Sequence, residues 1–428
     1  MLSTPPTRRW NGARAPAVIW MLAGGVVGAQ PTCEPRYAES PRPDARASYA
    51  MTYDSARSRV LMLGGVNVPN GRGTYPDLWQ WSDGRWSVVA QGLVRPPARS
   101  EAGVAFDRDR GRVVLFGGRS SVGVTLADLW EWDGQAWVDL TPFSTPARRR
   151  MAMAYDEVRR NVVVFGGSTS GGGTSNETRT WDGSQWTVIG NGPISARSGA
   201  AMAFDAQRGV VVLFGGLFGS AGYQNDTWEW DGAAWSLRAT GAGTPPGRHS
   251  HAMAYDRARR RVVLFGGLGV GASPLMDTWE YNGSEWIPGP PAEIPSARAF
   301  VSAAYDETAQ QTLMFGGRTM TPPDTHFSGT WLWDGSEWAS RGTRVVPPHR
   351  VYPGVAYDSA RGVTVVVGGR GAGGLLNDTW EWNGSNWEQR PALPGERPGV
   401  VERAAMCFDS TRNVAIHFGG QNDTLLSG

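Results

Sequence analysis

RHSHAMAYDRARRRVVLFGGLGVGASPLMDTWEYNGSEW, residues 248–286, decides the fold, because nearly every part of it recurs along the chain. The aromatic of its Tyr-Asp pair returns at Tyr53, Phe106, Tyr155, Phe204, Tyr255, Tyr305, Tyr357 and Phe408, at intervals of 49 to 53 residues. Eight copies of one module therefore occupy residues 46–428. A fixed period of this length marks an array of supersecondary units, each too small to bury its apolar face alone.

Within one unit, turn signals separate four short apolar runs. In the fifth, the first strand is expected over 249–255, with His249, His251, Met253 and Tyr255 on one face and small residues on the other. The second, 262–265, is continuously apolar and ends in Gly266-Gly267, as suits a strand buried on both faces. The third carries Trp279 and Tyr281, and Asn282-Gly283 then turns into a fourth that begins at Trp286. The run before Gly-Gly repeats as LMLGG (61–65), VVLFGG (113–118, 211–216, 262–267), VVVFGG (162–167), TLMFGG (312–317), VVVGG (365–369) and IHFGG (416–420).

This combination, apolar residues before a double glycine and then two aromatics at set distances, resembles the kelch repeat over residues 46–428. The resemblance implies an all-β fold, a β-propeller of four-stranded blades around a central channel. Eight first strands and eight Gly-Gly strands predict eight blades, with seven plus a remnant as the alternative. The last unit has no tryptophan after Gly419-Gly420. The Pro-rich segment 30–45 resembles the tail of a fourth strand, so ring closure by an N-terminal strand is expected.

Arg8, Arg9 and Arg14 precede an apolar stretch that ends in Val27-Gly28-Ala29, the form of a secretory signal peptide over 1–29. That predicts a secreted, periplasmic or cell-surface protein. All 41 basic residues are arginine, which reads as codon bias, and the net charge is only +2, so neither nucleic acid nor an anionic membrane is an expected partner. Export permits a disulfide between Cys33 and Cys407. The repeat alignment opposes it, placing Cys33 on an outermost strand and Cys407 on an innermost one, about 14 Å apart.

Every tryptophan outside the leader falls in one of the recurring slots, so packing between blades accounts for all of them. The aspartate after each aromatic reads as a turn former. Two histidines on one strand, His249 and His251, have no third ligand in sequence reach, so no metal and no cofactor is expected. The loops between second and third strands (66–76, 168–176, 217–225, 318–328) differ from one another, and variable loops on a rigid frame are where binding sits. On the same face lie the arginines that open each unit: Arg46, Arg99, Arg148, Arg197, Arg248, Arg298 and Arg350. In kelch propellers that bind peptides, residues of an Arg-Ser step contribute at the channel mouth. The resemblance carries this to Arg99-Ser100 and Arg197-Ser198, with Arg248-His249 as a variant. The bland reading pairs each arginine with an acid of the neighbouring blade, such as Asp128 or Asp226. Function is then expected to be non-enzymatic binding of a protein, peptide or glycan by a monomer. The alternatives are an exported enzyme acting on a sugar acid in an arginine-lined pocket and an architectural adhesion module.

Overall fold

The aspartate after each aromatic builds the first turn of its unit with its own carboxylate. Asp156 Oδ1 accepts from the Val158 and Arg159 amides at 3.1 Å each, and Asp205, Asp256 and Asp358 hold the matching amides in their own turns. Satisfying two donors at once favours a tight reversal. The computed structural model describes residues 42–419, except 68–72, 143–144, 220–221, 291–294, 321–323, 342–346, 348–349, 372–373, 383–386, 391–401 and 404. In it these turns join short antiparallel strands.

In the fifth unit Ala252–Asp256 pairs with Arg261–Phe265, then Thr278–Tyr281, then Trp286–Pro288, all antiparallel and in sequence order. Units one to seven share this four-stranded order, and unit eight shows its first two strands, Ala405–Asp409 and Val414–Phe418. The fold is an all-β propeller. The first strand of unit five begins at Ala252 rather than at His249, because Ser250 takes a left-handed φ of 55° that breaks the extended run. The double glycines are needed where they stand. Gly117 has a φ of 59°, and a Cβ there would lie 2.3 Å from the Arg148 carbonyl of the next unit.

Six residues at the start of the first strands state how many units close the ring. The amide of Ser48 donates to the Phe300 carbonyl, Glu101 to Ser48, Arg150 to Glu101, Gly199 to Arg150, Ser250 to Gly199 and Phe300 to Ser250, at 2.7–2.9 Å. All six are left-handed, with φ between 54° and 70°. The series returns to its start after six steps. The packing agrees: Tyr49, Met51, Trp81 and Trp86 of unit one share a buried cluster with Ala304, Leu313, Phe315 and Leu332 of unit six. Trp86 Nε1 donates to Thr330 Oγ1 at 2.8 Å across this seam, as Trp286 does to Thr227 and Trp338 to Thr278 elsewhere in the ring.

The expected eight-bladed ring is thereby corrected to six blades, units one to six. Closure by an N-terminal strand is corrected as well, since units one and six each have four strands of their own and meet directly. Units seven and eight repeat the same contact between themselves: the Arg403 amide donates to the Tyr352 carbonyl at 3.0 Å, both residues are left-handed, and Ala405–Asp409 packs on Gly354–Asp358. Tyr357 there is 60% exposed, where its ring counterpart Tyr255 is 9% exposed. The segment 1–29, nearly all of 30–45, and Cys33 lie outside the described residues. Cys407 is free and exposed on the first strand of unit eight.

Candidate functional site: the central channel and its loop-bearing mouth

The first strands of units one to six present their unpaired edges to the axis and line a channel holding a cavity of about 320 Å³. Its wall is mostly small or apolar, with Ala50, Ala105, Ala154, Met202, Met253 and Ala303 among the lining residues. The two ends differ. At the end bearing the Asp turns, Arg108 and Arg257 alternate with Glu157 and Glu307. Arg108 bonds Glu307 on the far side of unit one and lies 3.7 Å from Glu157 beside it, while Arg257 Nε lies 3.0 Å from Glu307 and its Nη2 bonds Glu157. These four side chains form a closed cycle of ion pairs across the axis. Burial, with the charge of Arg108 behind it, lowers the Arg257 pKa from its ordinary value.

The opposite mouth carries the Gly-Gly loops and the links between units. Glu101 accepts from Arg149 Nη1 and from Arg150 Nε, at 2.7 Å each. Burial alone would raise the Glu101 carboxyl, but the two guanidinium groups outweigh it and hold the group below its usual range. Two cations thus share one anion. The Arg150 guanidinium lies 5.5 Å from the Phe300 ring centroid, and Arg318 lies 4.8 Å from the same ring. His249 stacks on Tyr223 at 5.5 Å and 13° and approaches Phe300 edge-on. Burial, then the Arg150 charge, pushes His249 down to about 4, so its imidazole is neutral near pH 7. His251, on the channel wall, is only 4% exposed, packs edge-on against Phe214, and has no partner for either ring nitrogen among the described residues. Burial pushes it well below the ordinary histidine value.

The unit-opening arginines stand elsewhere. Arg46, Arg99, Arg197 and Arg248 are at most 2% exposed, and each grips with both terminal nitrogens an aspartate of its own unit: Asp77, Asp128, Asp226 and Asp277. Arg350 grips Asp378 likewise. Nη1 of each also bonds the first glycine carbonyl of its Gly-Gly pair, as Arg248 does Gly266 at 3.0 Å. Arg148 lies 3.6 Å from Glu177, where the usual tryptophan is replaced by Arg179, which bonds the same carboxylate. The pairing lies within a unit rather than between neighbours, and it neutralises the positive focus expected of an arginine ring. Ser100 and Ser198 are buried, and their backbones pair with Arg119 and Leu217. Of the residues singled out from the sequence, His249 lies in the channel-mouth cluster. Glu101, Arg150 and Phe300 were missed, because each occupies a slot that other units fill with unrelated residues, so the repeat gave no signal for them; Arg149 stands in the slot of Ser100, Ser198 and His249, and Arg318 opens one of the variable loops expected to carry binding. Among the described residues no three His, Cys, Asp or Glu side chains converge as a metal site would require, and no helix is long and apolar enough to cross a membrane.

The fold and this channel define a β-propeller. A solved structure described as "Structure of YjhT" shares that fold at a TM-score of 0.55 and 17% identity, covering 71% of this chain and 99% of that one. No protein-family model matches the chain, and no curated protein matches it.

Proposed function

We propose that this is an exported, kelch-type propeller that binds a peptide or glycan at the loop-bearing mouth of its channel, without chemistry. The observation that carries the reading is the mouth cluster: a guanidinium surplus on Glu101 set beside the Phe300, His249 and Tyr223 rings. Aromatic faces with forked cations suit a ligand that offers both apolar surface and a carboxylate. The ion-pair cycle at the other end supports approach from the loop side. The test is a glycan and peptide array probed with the purified chain and with Arg150→Ala and Arg318→Ala. Carboxylate-bearing hits are expected, weakened at least tenfold in both variants and further by salt. Hits that ignore both substitutions would overturn the assignment.

One observation favours a second reading, an enzyme acting on a sugar acid: His251, among the residues that line the channel with Glu101 and Arg150, has no partner for either ring nitrogen among the described residues. Conversion of a uronic acid, followed by NMR and abolished in His251→Phe, would replace the binding reading with this one.

A further inference from the structure

Five units teach the geometry of one small site. In each, the opening arginine and the indole of the third strand close on the same aspartate, as Arg248 and Trp279 close on Asp277 at 2.6 and 2.7 Å. Arg46 with Trp79, Arg99 with Trp130, Arg197 with Trp228 and Arg350 with Trp380 repeat it. The sixth unit keeps both donors, Arg298 and Trp331, but has Gly329 where the aspartate stands. The register proves the equivalence, since Gly316 N donates to the Gly329 carbonyl as Gly266 N does to Asp277.

Arg298 is 2% exposed, and among the described residues no acid stands against it. Its Nε donates to the Ser296 carbonyl, Nη2 to Ser296 Oγ and Nη1 to the Gly316 carbonyl, while its guanidinium lies 4.0 Å from the Phe327 ring centroid. A guanidinium has five N–H groups. Three are used, which leaves one on each terminal nitrogen, the pair that meets the carboxylate in the other units. The Ser296 bond does not block that pair, because Arg197 makes the same bond to Ser195 and still holds Asp226. Among the described residues no acceptor meets Trp331 Nε1. A Cβ built on Gly329 would have only that indole within 4 Å, its Nε1 at 3.2 Å, so the place of the missing side chain is open.

We propose that the notch formed by Arg298, Trp331 and Gly329 is a binding site for the carboxylate group of a ligand, which takes the position that aspartate holds in the other units. A buried guanidinium without a counter-charge is unfavourable, and a planar carboxylate satisfies both free N–H groups with the indole as a third donor. The low pKa of Arg298, about 10, has burial as its first cause and fits a cation left without an acid. The site is independent of the channel-mouth reading, since it uses neither Arg150 nor Arg318.

The experiment titrates the full chain with sodium acetate, N-acetylglycine and sodium glucuronate at constant ionic strength, against sodium chloride and acetamide, and reads the thermal midpoint. The midpoint is expected to rise with the carboxylates alone. A stronger response to N-acetylglycine would mark a peptide-type source, and a stronger response to glucuronate a sugar acid. Gly329→Asp supplies the carboxylate from within, so it should melt higher than wild type and, in an Arg150→Ala background that weakens the channel mouth, no longer respond. If that variant fails to fold, Trp331→Phe removes one donor and should weaken the response several-fold. Equal responses in wild type and variant, a response to chloride as large as to acetate, or none by about 100 mM carboxylate would overturn the proposal, and Arg150→Ala, which leaves this response intact, separates its failure from that of the channel mouth.

Discussion

Replacing Arg248 by alanine tests whether the unit-opening arginines hold the propeller together or hold a ligand. Arg248 is wholly buried, and its partner Asp277 is 36% exposed. Breaking a fully buried pair costs about 3–5 kcal/mol, but an aspartate this exposed can be rehydrated, which cuts the charge part to about 1 kcal/mol. The carbonyls of Gly266 and Pro246, bonded at 3.0 and 2.9 Å, lose their donors at about 1 kcal/mol each. The total is about 3 kcal/mol, a fall in the melting midpoint of about 5 °C for a ring of roughly 300 residues, measured by circular dichroism. The pH dependence follows from Asp277, whose carboxyl burial would raise but which the Arg248 hydrogen bond holds below its ordinary value. A depressed carboxyl contributes stability that is present above the unfolded value near 4 and lost as pH falls through the folded one. Arg248→Ala should therefore flatten the acid limb of the stability curve. An unchanged melting midpoint, combined with lost ligand affinity, would refute the reasoning and return Arg248 to the ligand site.

Truncation after Arg341 removes units seven and eight and leaves the six-step hydrogen-bond ring intact, so the shortened chain should fold and melt within a few degrees of the full one; a molten product by circular dichroism would mean that the last units belong to the closed ring. His249 makes the second pH prediction. Its folded pKa of about 4 lies below the unfolded value near 6.5, so its contribution is complete above about pH 6.5 and lost as pH falls toward 4, and His249→Gln should remove that part of the decline in urea midpoints.

The repeat was legible without coordinates because its causes are local. A side chain that closes a turn two residues away, a four-residue run buried on both faces, and a glycine pair that must turn left-handed leave the same marks in every copy, and Asp156, 262–265 and Gly117 read as they fold. Ring size is not local. Units seven and eight carry the same marks as the first six, yet the ring closes at the Ser48 to Phe300 bond, because the rotation between neighbouring blades sets how many fit around an axis. The candidate site escaped for the opposite reason. The arginines that recur are the ones the repeat uses for itself, each neutralised by an aspartate some 29 residues on, whereas Glu101, Arg150 and Phe300 are functional candidates only because closure brings six unrelated residues to one mouth. The vacancy at Gly329 stands between these cases. The missing aspartate can be read in the alignment of the units, but that Arg298 stays buried beside an open indole, with no acid against it among the described residues, is decided by packing in three dimensions.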